Sequence, residues 1–454
     1  MAKIFVTDPM GKMRNPNSCV FQLLSANALP KVSVDIKTPQ QTMLGFGIAV
    51  TDASCHLLAR LNPKARDALL HQVFGEEGLK LNIARLAAGA CDYACSCYSY
   101  DDTPDDSELA DFTIGHDRQY IIPMLHHINQ ICPDIFYFSS MWSAPGWMKT
   151  GCSMYGGWLR ERYLEAFSRY YVRFIEEYQK EGIRIRALSP QNEPETDQCG
   201  QIPAGFLHPE FEQRIIRDYL MPMLQEKGYE VKAWILDHNY VMWNRAKWML
   251  DDQGTKAAVS GVAFHYYDGT ADMATRLHEA HPEIEIHWTE GGPFLGGAYE
   301  TEWCHWGRVF TEALNNWCAS ITGWNLLLDE NGNPNIGPYR CAGLATIHSE
   351  TNDITYSGQY HALAHFSRFV KRGASRLPTA GPNSQYGQSD RKTALYHTAF
   401  RNPDGSGVLI FTNPYEHQDI CVQTGNCFFR LALSENSVTT VFLEKDEFSE
   451  CGEV

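Results

Sequence analysis

"GFGIAVTDAS", residues 45–54, decides how the chain is built. Gly45 to Val50 reads as a short apolar strand that stops at Thr51-Asp52. In an open, doubly wound sheet the first strand runs into a glycine-rich phosphate loop with three glycines at set spacings. This stretch has two glycines and no third, which disfavours a dinucleotide-binding sheet. A closed barrel is the alternative, and the rest of the sequence favours it.

Seven more β-rich runs follow: "LNIARLAA" (81–88), "DIFYFSSM" (134–141), "RIRALSP" (184–190), "VKAWILD" (231–237), "GVAFHYY" (261–267), "EIHWTEG" (285–291) and "SITGWNLLL" (320–328). Several are apolar at nearly every position, as expected of parallel strands buried on both faces. Amphipathic stretches separate them. "NPKARDALLHQVFGEEG" opens on an Asn-Pro pair suited to a helix start and closes on glycine. "ERYLEAFSRYYVRFIEEYQKEG" spaces Leu164, Phe167, Tyr171, Phe174 and Tyr178 three and four apart, which predicts one apolar helical face. "PEFEQRIIRDYLMPMLQEKG", "EWCHWGRVFTEALNNW" and "YSGQYHALAHFSRFVKRG" behave similarly. Eight strands alternating with helices predict an α/β protein with a (β/α)8 TIM barrel over residues 39–372.

The two ends have a different texture. From residue 373 to 454 turn signals recur every few residues without a helical period, which predicts an antiparallel β-sandwich side domain. "KIFVT" and "VSVDI", within residues 1–38, precede the barrel and need partners, so they are expected to join that sandwich.

Apolar residues make up 44% and charged residues 20% of 454, a globular balance with material for a large core. A formal charge of −16 and the lack of a basic run argue against nucleic acid or an anionic membrane as partner and favour a neutral ligand. No apolar window is long enough to span a bilayer, and the N-terminus lacks a signal-peptide core. A cytoplasmic location is therefore expected, with a trimmed, secreted form as the alternative; the oligomeric state is not legible. Fourteen cysteines without framework spacing suggest free thiols. The tightest group, Cys91, Cys95 and Cys97, lacks a fourth metal ligand.

In such barrels the chemistry gathers at the C-terminal ends of the strands. Strands four and seven end in acids, Glu193 and Glu290, with the spacing expected of three βα units. Two facing carboxylates suit glycoside hydrolysis: one protonates the leaving oxygen, and the other, ionised, attacks the anomeric carbon. Repulsion from Glu290 is expected to raise the pKa of Glu193, while Arg85 at the end of strand two keeps Glu290 charged. Asn192 is placed to meet a sugar 2-hydroxyl. Alternatives stand beside these roles. Arg85 and Asp92 can form an ion pair that only braces the barrel. His265 can be a core histidine or a site residue; Trp142 and Trp324 suit site walls, and Trp147 core packing. Glu195 and Asp197, further along the strand-four loop, are expected to face solvent or the leaving-group side.

"GFGIAVTDAS", "LNIARLAAGACDYACSCYSYDDTPDD", "MWSAPGWMKT", "QNEP", "VAFHYY", "TEGG" and "GWNLLL" resemble, in order, the strand-end motifs of glycoside hydrolase family 30. "YHALAHFSRFVKRGASR" and "SVTTVFL" resemble that family's linker helix and final side-domain strand, so the likeness runs from about residue 40 to 445. The resemblance implies a retaining double displacement with Glu193 as acid/base and Glu290 as nucleophile, and no metal or organic cofactor. It implies that Asp52 and Trp142 bind the non-reducing-end sugar, that Trp324 flanks it, and that Tyr267 is a substrate-site aromatic near the nucleophile. Within the family, Asp52 and Trp142 favour an exo-acting β-glucosidase on glucosides or short β-glucans. A β-xylosidase or xylan-trimming enzyme is the alternative, and a non-catalytic carbohydrate-binding barrel a third. "ETDQCGQIPAGF", following the strand-four motif, departs from the glucosylceramidase pattern beside the cleft.

Overall fold

The computed structural model describes residues 2–15, 29–382 and 394–450. Eight parallel strands close into a barrel: β1 (Gly45–Ala49), β2 (Ile83–Ala87), β3 (Phe136–Ser140), β4 (Ile185–Ser189), β5 (Lys232–Asn239), β6 (Gly261–His265), β7 (Glu285–Glu290) and β8 (Cys318–Gly323). Pairing of β8 with β1 completes the circle. Every predicted strand overlaps one of these. The last differs most: the chain turns at Trp324-Asn325, with Asn325 at φ 60°, and Leu327–Asp329 joins a separate three-stranded sheet.

Side chains two apart on a strand share a face, so each strand stacks its inward residues in layers. Ile83, Phe136, Phe138, Ala187, Trp234 and Ala263 form an apolar layer. One step towards the C-terminal ends the layer turns polar: Arg85, Ser140, Ser189 and His265 are all buried there. Strand β5 would break this pattern, because simple alternation from Trp234 puts Asp237 on the outside. A bulge corrects it. The register against β6 slips between Leu236 and His238, and Leu236 and Asp237 adopt φ of 74° and 47°. The Leu236 N–H donates to Glu212 Oε1 at 3.1 Å.

Glu212 is itself held by Arg245 at 2.7 Å, and the same guanidinium binds Glu195. Glu195 therefore belongs to the brace behind the bulge, contrary to the expectation that it faces solvent or the leaving group. Asp197 accepts the Cys199 N–H at 3.1 Å and so fixes the turn that follows.

Outside the barrel, Asn62 caps helix Pro63–Phe74 by accepting the Ala65 N–H at 2.9 Å. Helix Leu164–Lys180 buries the five apolar residues its spacing predicted. Helix Asp117–Ile131 contains Pro123, which obscures its period in the sequence.

Residues from both ends build the sandwich. Lys3–Asp8 pairs antiparallel with Ser437–Leu443 in a six-stranded sheet, and Lys31–Val34 runs parallel to Gln418–Thr424 in a four-stranded one. Val6, Leu409, Phe411, Val422, Phe429 and Val441 fill the space between them. Helix Trp303–Asn315 packs against this domain: Trp303 Nε1 donates to the Asn436 carbonyl at 2.9 Å and Asn315 Nδ2 to that of His397 at 3.0 Å.

Cys91, Cys95 and Cys97 are free thiols, whereas Cys427 is disulfide-bonded, against the expectation of thiols throughout. Among the described residues no helix is long and apolar enough to cross a membrane.

Candidate active site

At the C-terminal mouth of the barrel three carboxylates converge: Glu193 beyond β4, Asp237 on β5 and Glu290 at the end of β7. Arg85, fully buried, is the hub. Its Nη1 donates to Glu290 Oε2, and its Nη2 donates to Asp237 Oδ2 at 2.8 Å and to Asn192 Oδ1 at 2.7 Å. Its partners are thus Asp237 and Glu290, and the pairing with Asp92 does not form. The Trp142 and Trp324 rings stack on each other at 5.2 Å and both lie close to the guanidinium, 4.7 and 5.6 Å away. Trp147 packs in the main core instead.

Glu290 has a second donor, the Tyr267 hydroxyl, 3.1 Å from Oε1. Glu193 is held differently. Oε1 faces His265 Nδ1 at 3.1 Å, and Oε2 accepts from Gln198 Nε2 at 2.5 Å. The Glu193 backbone sits at φ 48°, in the left-handed region, and its N–H donates to the Asp237 carbonyl at 3.0 Å. The β5 bulge therefore positions both a buried carboxylate and the backbone of its neighbour. One oxygen of Glu193 and one of Glu290 lie within 4.8 Å of each other.

Asp237 was missing from the sequence prediction. It accepts from Ser140 at 2.5 Å, Ser189 at 2.6 Å and Thr289 at 2.7 Å, besides Arg85, and faces His265 Nε2 at 3.1 Å. Burial opposes its ionisation, but Arg85 and His265 outweigh burial and hold the carboxyl far below the ordinary carboxylate range. His265 is pushed the other way. Burial disfavours its cation, yet the charge of Glu290 and hydrogen bonds to Asp237 and Glu193 raise its pKa above the ordinary histidine value.

Glu193 runs against the sequence expectation. Burial does raise its pKa, but the hydrogen bond and charge of His265, with His238 and Arg85, more than offset it and leave Glu193 below its usual value. The cause lies in the count of charges. One arginine cannot balance three buried carboxylates, so a proton on the His265–Glu193 pair supplies the second positive charge. Glu193, His265 and Glu290 each turn one ligand atom to a common point, the geometry a cation would use. Arg85 and protonated His265 already occupy the cationic side of these acids, and a doubly protonated imidazole has no lone pair to ligate a metal.

Two acids remain. Asp52 stands apart from this group: its oxygens accept the Cys95 N–H at 2.7 Å and face His116 Nε2 at 2.9 Å, so it braces the loop after β2. Asp92, in that same loop, is buried with Oδ1 unpartnered. Burial raises its pKa well above the ordinary value, and the charges of Glu290 and Glu193 add to the shift.

The barrel mouth is that of a glycoside hydrolase, and comparison with known proteins agrees. The chain belongs to glycosyl hydrolase family 30: the family's TIM-barrel domain matches residues 43–370 and its beta sandwich domain residues 373–441. Putative glucosylceramidase 1 of Caenorhabditis elegans is 30% identical over 447 residues, covering 92% of this chain and 84% of the relative. An endo-1,6-beta-D-glucanase of Neurospora crassa is 29% identical over 410 residues, 87% of this chain and 83% of that enzyme. The solved structure of an endo-beta1,6-glucanase superimposes with a TM-score of 0.87 at 27% identity, over 98% of this chain and 99% of that one.

Proposed function

We propose that this enzyme is a retaining, exo-acting β-glucosidase that works by double displacement, with Glu290 as nucleophile and Glu193 as acid/base. The observation that carries the proposal is the approach of the Glu193 and Glu290 oxygens to within 4.8 Å. Carboxyls about 5–5.5 Å apart leave no room for an intervening water and favour a covalent intermediate, whereas an inverting pair stands about 6.5–9.5 Å apart.

In the first step Glu290 bonds to the anomeric carbon, the glycosidic C–O bond breaks, and the proton of the Glu193–His265 pair passes to the leaving oxygen. Glu290 loses its charge as the pair loses its proton, so the net charge of the buried cluster is conserved. That balance supports the step energetically, since uncompensated charge in such a site is costly. In the second step Glu193 takes a proton from water, whose oxygen displaces Glu290 from the anomeric carbon. Arg85 and Tyr267 each donate to Glu290 and hold it in place. Because Arg85 holds the Asn192 carbonyl, the amide nitrogen is the end left for the 2-hydroxyl. The buried Asp92 carboxyl, with Oδ1 unpartnered, suits a further sugar hydroxyl, alongside the role expected of Asp52.

Exo action is favoured by the buried apolar cluster in which Tyr93 and Cys341 join Trp142 and Trp324, the two rings beside Arg85. A terminal glucose is the preferred occupant. The test compares kcat/KM for p-nitrophenyl β-glucoside and β-xyloside: the glucoside should win by at least about tenfold, and a xyloside preference of that size would reverse the substrate assignment.

A further inference from the structure

Both oxygens of Glu193 have protein partners, and only one partner can yield. His265 is fully buried and locked between Glu193 and Asp237. Gln198 is half-buried on the turn beyond β4. Taking Glu193 as the acid/base, a leaving oxygen that comes within reach of it must displace the Gln198 amide.

Gln198 is also the meeting point of two loops. Its Oε1 accepts from the Tyr339 hydroxyl, which comes from the long loop after β8, so a Tyr339–Gln198–Glu193 chain spans the cleft. The turn holding Gln198 is strained: Gln198 and Cys199 both sit at φ 52°, with the Asp197 carboxylate fixing the Cys199 N–H. Exposed rings flank it. Gly156 packs on this turn, its Cβ direction 3.2 Å from Asp197 Oδ2, and its neighbour Tyr155 is half-exposed, as is Tyr339.

We infer that Gln198 and Tyr339 form the subsite for the leaving group and select a saccharide there rather than a lipid. When the leaving group enters, the amide swings off Glu193 and, with the Tyr339 hydroxyl, hydrogen-bonds hydroxyls of that sugar, while the flanking rings face its C–H surfaces. A hydrocarbon aglycone would push the amide off Glu193 and offer its N–H groups no acceptor in return, a loss a sugar avoids.

The test uses two substrates that need protonation equally and differ in hydroxyls: a β-1,6-linked glucose disaccharide and octyl β-glucoside. Gln198→Ala should lower kcat/KM about tenfold on the disaccharide and leave octyl glucoside within about twofold, with Tyr339→Phe moving the same way. Gln198→Gly, which suits the φ of 52°, should match Gln198→Ala and so exclude strain as the cause. Equal losses on both substrates, or none on either, would overturn the subsite. Glu193→Ala separates the underlying assignment: it should disable both substrates together. If it left both at the wild-type rate, the acid/base role of Glu193 would fail, whatever Gln198 does.

Discussion

Glu290→Gln is expected to abolish turnover, lowering kcat by a factor on the order of 10⁴–10⁶, while the protein stays folded. The substitution preserves the size of the side chain and keeps one oxygen for Arg85 or Tyr267, so the packing around the buried guanidinium changes little. What the double displacement proposed above would lose is the oxygen that bonds to the anomeric carbon. An amide is too weak a nucleophile, and no other carboxylate can take over: Asp237 is saturated by donors and Glu193 lies on the leaving-group side. Steady-state rates with p-nitrophenyl β-glucoside, paired with thermal melting, check both halves. Near-normal turnover would remove Glu290 from the mechanism.

Asp237→Leu should be the most destabilising change in the site. It strips Arg85 and His265 of the carboxylate they share and takes the acceptor away from Ser140, Ser189 and Thr289. Breaking a buried pair from one side costs about 3–5 kcal/mol, because the remaining charge is left uncompensated. Denaturant unfolding measures that cost. Asp237→Asn keeps the shape and isolates the electrostatics. Asp237 is one of the groups that raise the pKa of His265, so its neutralisation lets the His265–Glu193 pair give up its proton at lower pH. The basic limb of kcat/KM should accordingly move to lower pH. A profile unmoved by Asp237→Asn would show that His265 does not hold the catalytic proton.

The barrel, its eight strands and the two glutamates were legible because each rests on a local signal: an apolar run, a turn, an acid at a strand end. Asp237 was not, because period-two alternation from Trp234 turns it outward, and the bulge that reverses it depends on Glu212, distant in sequence. A strand-end rule applied to β5 would have raised it as a candidate. Glu195 misled for the same reason: its partner, Arg245, lies beyond the next strand. The sign of the Glu193 pKa shift also depends on distant residues. Repulsion from Glu290 was visible in the sequence, but the histidine that absorbs it comes from β6, where Glu290, Asp237 and Glu193 together raise its pKa. Asp52 and Asp92 differ in a way no motif shows: Asp52 accepts the Cys95 N–H and faces His116, whereas Asp92 Oδ1 is unpartnered.

A Glu193–Glu290 approach this close is expected to enforce double displacement. Proton NMR of the first sugar released from a β-glucoside, recorded before mutarotation, tests it most directly. Accumulation of the β-anomer first is the predicted result; initial release of the α-anomer would contradict it.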